Sequence, residues 1–247
     1  QPVVAAALAD LAGAAIEAGL RVARAELALS TEFGVFDPRE IDDTRLTVIA
    51  MGKCGARELN YISDVDVIYV GQSANEAETS HQRAVEISTK LATRMMRAMD
   101  GTAPEPGLWQ VDPNLRPEGK SGALVRTLES HVSYYDRWAE SWEFQALLKA
   151  RPLAGDMELG REYVNALAPK VWASASRENF VESAQRMRER VTEHIPADEV
   201  DRQIKLGPGG LRDIEFTVQL LQLVHGRTDD SVRQRDTLSA LEALTVG

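Results

Sequence analysis

Apolar positions between residues 45 and 123 predict a small sheet with one long helix packed against it. Residues 48–51 and 65–70 form two apolar runs rich in β-branched side chains, as strands do. Between 84 and 98, apolar side chains recur every three or four residues and predict one buried helical stripe. A third short strand is expected over 108–112. Together these elements predict an α+β domain.

Helical periodicity dominates both ends of the chain. Residues 3–29 are expected to form a helix, and from Leu124 onward apolar residues again follow spacings of three and four. The sequence therefore predicts an N-terminal helical segment (1–44), a sheet-containing domain (45–123) and a helical domain (124–247). The predicted apolar face of the first helix consists of Leu8, Leu11, Ala15, Ala18 and Val22.

Composition narrows the possible classes of protein. The net charge of −10 argues against nucleic acid as a partner, because a polyanion favours a basic surface. The single cysteine, Cys54, excludes an internal disulfide and fits a reducing, cytoplasmic setting. Charged residues interrupt the alanine-rich start, so no membrane-spanning run is expected. A chain that starts at Gln1 suggests a piece of a longer polypeptide.

Two aspartates mark the start of the second predicted strand. Asp64 and Asp66 are two residues apart, so in an extended chain their carboxylates point the same way, about 7 Å apart. Their mutual repulsion would be relieved by a cation, and hard oxygen ligands suit magnesium with phosphates. The alternative is a pair of solvated aspartates on an exposed edge, and the spacing alone does not decide between the two.

A third carboxylate and a polar loop follow the third predicted strand. Asp112 ends that strand, although an aspartate before Pro113 could simply start a turn. Two glycines accompany Arg116, Lys120 and Ser121, and such a loop can present backbone N–H groups and cations to phosphate. A solvated turn would have a similar composition.

The order of these motifs resembles the nucleotidyltransferase superfamily of the DNA polymerase β type. An apolar strand ends at Gly52, and an Asp-apolar-Asp-apolar run follows after a short gap. The resemblance implies that Gly52 lets the backbone approach a nucleotide phosphate. It also implies that Asp64, Asp66 and Asp112 are catalytic and hold two Mg²⁺ ions. Lys53 departs from the Gly or Ser usual at its position.

Longer motifs closely resemble the bifunctional glutamine synthetase adenylyltransferase/adenylyl-removing enzymes. They are Gly52-Lys-Cys-Gly-Ala-Arg-Glu-Leu-Asn60, Ser63-Asp-Val-Asp66, Asp112-Pro-Asn-Leu-Arg-Pro117 and the segment from Trp142 to Arg151. The resemblance implies a polymerase-β-type nucleotidyltransferase domain with a small mixed sheet over 45–123, followed by a helical bundle. The nucleotide or phosphate contacts implied by it are Gly52, Lys53, Ser63, Arg116, Lys120, Ser121, Lys149, Arg151, Arg212 and Glu215. Lys149 and Arg151 could equally be cations that stabilise a helix end.

Two motifs resemble the adenylyl-removing half of that family rather than the attaching half. They are Gly55-Ala-Arg-Glu-Leu-Asn60 and the glycine-rich stretch Gly209-Gly-Leu-Arg212-Asp-Ile-Glu-Phe216. In the attaching half, Gly-Gly-Arg-Glu-Met replaces the first and Thr replaces the arginine of the second. The resemblance implies phosphorolysis of AMP from a tyrosine of glutamine synthetase, with phosphate consumed and ADP released. A nitrogen-signalling regulatory protein is a further expected partner. The ATP-dependent attaching half and a non-catalytic nucleotide-binding module stay open as alternatives.

Overall fold

The structure, a computed structural model, describes residues 2–29, 36–77, 79–101, 106–178, 180, 182–183, 186 and 203–246. It divides into two compact units. The first comprises Gln1–Arg137 and Lys149–Ala166, and the second comprises Trp138–Leu148 and Leu167–Gly247. This division follows packing contacts, whereas the predicted boundaries at 44/45 and 123/124 were drawn from motifs and stay predictions.

The helices and strands confirm the predicted α+β class. They are α1 (Pro2–Leu29), α2 (Pro38–Asp43), β1 (Thr44–Ala50), α3 (Gly52–Gly55), β2 (Val65–Ser73), α4 (His81–Asp100), β3 (Val111–Asp112), β4 (Val125–Arg126), α5 (Leu128–Arg137), α6 (Ser141–Leu147), β5 (Arg151–Gly155), α7 (Met157–Ala173), α8 (Leu211–His225) and α9 (Thr237–Val246). Short 3₁₀ turns lie at Gly119–Ser121, Ser174–Ser176 and Asp230–Val232.

The sheet of the first unit is small and mixed, as predicted. Its order is β3-β2-β1-β5, and β4 also pairs with β2. Strand β1 runs antiparallel to both β2 and β5, whereas β3 and β4 run parallel to β2. The third predicted strand is shorter than expected, because only Val111 and Asp112 pair.

Strand β5 was missed by the sequence analysis, which ended a helix there. Pro152 within Arg151–Gly155 argues against a central strand because it lacks a backbone N–H. In the structure, Pro152 is compatible with a strand because β5 lies at the sheet edge. The register of β5 with β1 also shifts where Pro152 pairs with Ile49. An edge strand with an irregular register tolerates the missing donor.

Helix α1 forms as predicted, but its buried face was predicted only in part, since Leu8 and Ala15 pack against the core and other predicted residues do not. Leu11 and Val22 are more than half exposed. The buried face is lined by small residues, and a Cβ added at Gly13 would lie 2.9 Å from Leu153 Cδ1. Small side chains are favoured on this face because they permit the closest packing. The buried residues are Ala9, Ala12, Gly13, Ile16, Leu20, Ala23 and Leu27.

The expectation that no segment could span a membrane also needs correction. By length and composition, α1 is apolar enough to cross one. A core helix meets the same criterion, and one face of α1 belongs to the hydrophobic core, where it packs on α4 and β5.

The core of the first unit lies between the sheet and the pair α1 and α4. Alternate residues of β2 point into it, including Val65, Val67 and Tyr69. The predicted stripe of α4 is largely confirmed, since Ala84, Ile87, Leu91 and Met95 are buried. Because odd-numbered residues of β2 face the core, Asp66 is directed to the opposite face.

The second unit is helical. It contains α6, the end of α7, α8 and α9. Gln222 on α8 is buried and donates hydrogen bonds to the carbonyls of Val232 and Gln234, each at 2.7 Å. Gln145 on α6 donates to Gln219 Oε1 at 2.8 Å. Side-chain amides therefore hold parts of this unit together alongside apolar packing.

A buried histidine of the first unit generates a prediction about pH. The His131 ring meets Tyr163 edge to face at 5.2 Å, and its Nε2 lies 3.4 Å from the Tyr69 carbonyl oxygen. Burial lowers the pKa of His131 to about 4. Below the unfolded-state pKa of about 6.5 the unfolded chain binds a proton that the folded chain does not. Lowering the pH from 7 to 5 should therefore reduce the free energy of unfolding by about 2 kcal/mol.

Urea unfolding of the wild type and His131→Leu across this pH range checks the expectation. The variant should lose most of the histidine-dependent slope. His225→Leu, which removes an exposed imidazole, serves as the control and should retain it. Equal slopes in the wild type and His131→Leu would show that His131 is not the titrating group.

Candidate active site

Two carboxylates lie side by side on neighbouring parallel strands. Asp66 of β2 is paired in register with Asp112 of β3. Paired residues on adjacent strands are about 5 Å apart and project from the same face of the sheet. Both are half-buried, whereas Asp64, one residue before β2, is exposed. Of the three aspartates predicted from the sequence, the structure thus pairs Asp66 with Asp112, whereas Asp64 lies close to Asp66 in sequence, just outside β2.

Gly52 lies directly against the Asp66 carboxylate. Its φ is +50°, in the left-handed region that favours glycine. A Cβ added there would lie 2.3 Å from Asp66 Oδ2, and the neighbouring Met51 N–H donates to the Asp66 carbonyl at 2.9 Å. The first glycine of the motif therefore makes room for the carboxylate itself, which the sequence analysis did not foresee.

The loop after Asp112 is organised by Arg116. This guanidinium donates to the carbonyls of Pro113, Gly122 and Lys120 at 2.9, 3.2 and 3.3 Å. Burial lowers the pKa of Arg116, and the Asp112 carboxylate opposes that shift. Asp112 Oδ1 accepts from the Asn114 N–H at 2.7 Å. Arg116 thus shapes the loop.

The tip of this loop faces solvent. Lys120 and Ser121 are exposed in the turn Gly119–Ser121. Just before the turn, Glu118 has a φ of +63°, which is unusual for a residue other than glycine, and its carboxylate pairs with Arg126. A loop held in this way presents Lys120 without further ordering.

The other predicted cations of the first unit lie close behind the Gly52 turn. Arg151 Nη2 and Nε donate to the carbonyls of Cys54 and Gly55 at 3.0 and 3.2 Å. Lys149 is buried and its Nζ lies 3.0 Å from Glu58 Oε2. Lys53 and Ser63 are half-buried in the segment between β1 and β2.

Cys54 is part of this turn but is no candidate nucleophile. It is fully buried, and burial raises the pKa of its thiol to about 11. A buried, protonated thiol acts as a small apolar side chain.

Arg212 and Glu215 lie in the second unit, in the first turns of α8. The Arg212 N–H donates to the Lys205 carbonyl at 2.9 Å, and the Gly209 N–H donates to Asp213 Oδ2 at 2.7 Å. Arg212 Nε is buried and, within the described part of the chain, has no hydrogen-bond partner. The predicted contact of Arg212 and Glu215 with nucleotide or phosphate stays a prediction.

The donor chemistry of the three aspartates suits a hard cation such as Mg²⁺. Within the described ranges, however, no group of three or more His, Cys, Asp or Glu side chains closes on a common point. The pairing of Asp66 with Asp112 beside Gly52 is therefore the observation that favours a metal, and the ligand set itself stays a prediction.

The sequence analysis missed two residues that hold the candidate site together. A Cβ added at Gly55 would lie only 2.0 Å from the Lys149 carbonyl oxygen, so this second glycine allows two backbone segments to touch. Glu58 pairs with Lys149 across 91 positions of sequence. The second glycine of the motif could have drawn attention to Gly55. No local pattern in the sequence links Glu58 with Lys149.

Comparison with known proteins gives consistent matches. Residues 2–166 match the glutamate-ammonia ligase adenylyltransferase family, and residues 182–247 match the GlnD PII-uridylyltransferase family. Three similar curated proteins are described as bifunctional glutamine synthetase adenylyltransferase/adenylyl-removing enzymes. That of Leifsonia xyli is 67% identical over 98% of this chain, and that of Streptomyces avermitilis is 58% identical over 98%.

A relative from Mycolicibacterium smegmatis is 57% identical over 99% of this chain. The matched regions cover 24%, 23% and 23% of these three relatives, so the chain spans about a quarter of their length.

The close approach of Gly52 to Asp66 generates a stability prediction. Gly52→Ala should destabilise the first unit by more than the roughly 1–2 kcal/mol that a left-handed φ costs, because the methyl group also displaces the carboxylate. Gly209→Ala is the matched control, since Gly209 has a φ of +73° and nothing within 4 Å of an added Cβ.

The same substitutions in an Asp66→Ala background isolate the clash. The nearest atom left to Gly52 is then Asp66 Cβ, at 3.6 Å from the added methyl group. Urea unfolding should show that Gly52→Ala now costs about as much as Gly209→Ala. If Gly52→Ala lowers the free energy of unfolding by as much in that background as in the wild type, the Asp66 carboxylate is not the group for which Gly52 makes room.

Proposed function

The chain belongs to the glutamate-ammonia ligase adenylyltransferase family, and we propose that its first unit removes AMP from an adenylylated tyrosine of glutamine synthetase by phosphorolysis. Inorganic phosphate is the nucleophile and ADP is the product. The observation that carries the proposal is the pairing of Asp66 with Asp112 beside the left-handed Gly52. A nucleotidyltransferase needs such a carboxylate pair next to a backbone that can approach a phosphate.

The choice of reaction direction rests on resemblance. Gly55-Ala-Arg-Glu-Leu-Asn60 and the motif containing Arg212 resemble the removing half of the family. The attaching reaction, which uses ATP, is the second candidate because the names of the similar proteins carry both activities. Removal also requires a cation for a free phosphate ion, and in the first unit the exposed Lys120 suits that role.

The proposed removal of AMP uses residues of the first unit. An oxygen of phosphate attacks the adenylyl phosphorus, the bond to the tyrosine oxygen breaks, and the tyrosine leaves to take up a proton. Mg²⁺ held by Asp64, Asp66 and Asp112 would supply positive charge for the phosphates. Lys120 is exposed at the tip of the ordered loop and offsets the charge of the incoming anion. Positioning and charge stabilisation carry the reaction, without a covalent enzyme intermediate.

The rim of the site suits a protein substrate. Tyr61 and Ile62, directly before Ser63 and Asp64, are 78% and 98% exposed. Exposed aromatic and aliphatic side chains beside a site are typical of contact with another polypeptide. These two residues would contact the segment of glutamine synthetase that carries the modified tyrosine.

The remaining partners follow from the same proposal. The net charge of −10 supports an enzyme that binds neither nucleic acid nor an anionic membrane surface, and the single cysteine supports a reducing, cytoplasmic setting. The match of residues 182–247 to PII-uridylyltransferases supports a nitrogen-signalling protein as regulator.

One assay tests the proposal and its alternatives. The protein is mixed with adenylylated glutamine synthetase and phosphate, or with unmodified glutamine synthetase and ATP. Release of ADP in the first mixture supports removal, whereas incorporation of AMP in the second supports attachment. Neither product, with nucleotide still bound, would identify a non-catalytic binding module.

Asp66→Asn and Asp64→Asn should each reduce turnover at least 100-fold while the fold survives. Each removes a charged ligand and also relieves repulsion among the carboxylates, so the melting temperature should hold or rise slightly. Asp100→Asn, an exposed aspartate at the end of α4, is the control. Near-normal turnover in both site variants would overturn the carboxylate assignment.

The double variant Tyr61→Ser/Ile62→Ser should raise the KM for adenylylated glutamine synthetase about tenfold, or about 1.4 kcal/mol. The KM for phosphate and the melting temperature should barely change, because the side chains are exposed. Val3→Ser/Leu29→Ser removes two equally exposed apolar side chains from α1, each 82% exposed, and should leave both constants unchanged. If the rim variant instead weakens ADP binding, the two residues contact the nucleotide.

A further inference from the structure

The turn that carries Gly52 is held from behind by the start of β5. Ala50, the last residue of β1, is paired in register with Arg151, the first residue of β5. A Cβ added at Gly55 would lie 2.0 Å from the Lys149 carbonyl oxygen and 2.7 Å from that of Ala50. The two backbone segments therefore touch at the point where β1 enters the turn.

Arg151 fixes the middle of the turn. Helix α3 is only four residues long, and at its end the Cys54 carbonyl accepts from the Arg57 N–H at 3.2 Å. The Arg151 guanidinium adds side-chain donors to the carbonyls of Cys54 and Gly55. The planar guanidinium can serve two acceptors at once in a fixed geometry, which a lysine ammonium cannot reproduce.

Lys149 fixes the exit of the turn. Its side chain is 7% exposed and its ammonium pairs with Glu58 at 3.0 Å. The Glu58 N–H in turn donates to the Lys53 carbonyl at 2.8 Å, and the preceding Arg57 has a φ of +59°. Removal of one partner from a buried ion pair leaves an uncompensated charge, so this contact strongly constrains the exit.

We propose that Lys149 and Arg151 are positioning residues, which act on the reaction by holding the Gly52–Glu58 turn against the Asp66 carboxylate. This replaces the expectation that they contact nucleotide or phosphate. Because only a hydrogen-sized gap separates Gly52 from Asp66, a small displacement of the turn moves the carboxylate. The structural part of the inference is independent of the reaction, whereas its kinetic part rests on the proposed function.

Hydrogen–deuterium exchange tests the structural part without any activity. In Arg151→Met, the amides of Ala56, Arg57 and Glu58, which close the turn, should exchange at least tenfold faster than in the wild type. Amides in the middle of α4 should be unchanged. Unaltered exchange across residues 55–58 would overturn the inference.

Kinetics test the functional part. Arg151→Met should lower kcat for AMP removal at least tenfold and leave the KM for phosphate within twofold, and Arg151→Lys should recover little. Lys120→Met is the matched comparison, since this exposed loop cation should raise the KM for phosphate without altering exchange in the turn. A rise in the KM for phosphate with normal exchange would make Arg151 a direct phosphate contact and overturn the proposal.

A charge exchange separates the two roles of Lys149. If Lys149 acts through its ion pair with Glu58, the double variant Lys149→Glu/Glu58→Lys should recover at least a third of the kcat that Lys149→Met loses. If Lys149 binds phosphate, the exchange places a carboxylate there and recovers nothing. Should the exchanged pair not fold, the Arg151 variants still decide the proposal. A wild type that forms neither product would refute the proposed function, and the exchange data would still decide whether β5 holds the turn.

Discussion

Close contact between Gly52 and the Asp66 carboxylate is the constraint on which the rest of the site depends. It requires a glycine in the left-handed region at the end of β1, a tight turn after it, and a β2 register that places Asp66 beside Asp112. Carboxylates this close repel one another, and partial burial strengthens the repulsion. Backbone contacts help to fix the positions of these groups, since the Met51 N–H donates to the Asp66 carbonyl and the Asn114 N–H donates to Asp112 Oδ1.

The cations near these carboxylates divide into two groups by their contacts. Arg116 and Arg151 donate to backbone carbonyls, and Lys149 pairs with Glu58, so all three shape the loops around the site. Lys120 is exposed on the loop that Arg116 organises. A nucleotidyltransferase site needs both kinds, because phosphate transfer depends on exact placement of groups as well as on positive charge.

Local patterns predicted most of the sheet and the carboxylates. β1, β2 and α4 were readable because β-branched runs and a three-to-four spacing dominate their sequences. The buried face of α1 could not be predicted in full, because alanines lie on all sides of that helix. Close packing, rather than hydrophobicity, selects the face. β5 was missed because Pro152 is tolerated only at a sheet edge, and edge position depends on the whole topology.

The contacts of Lys149 and Arg151 could not be predicted for a related reason. Their partners lie more than 90 positions away, and a cation before a strand looks the same in sequence whether it binds a carbonyl or a phosphate. The resemblance to a family identifies the motif, but it does not by itself separate residues that hold a site from residues that contact a substrate.

Thermal unfolding with Mg²⁺ and ADP tests most directly whether the three aspartates form a metal-dependent nucleotide site. Mg²⁺ alone should raise the melting temperature by mass action, and ADP should add to that shift only when Mg²⁺ is present. Asp66→Asn should abolish both shifts. An ADP-dependent shift of equal size without metal, or wild-type shifts in Asp66→Asn, would contradict the account.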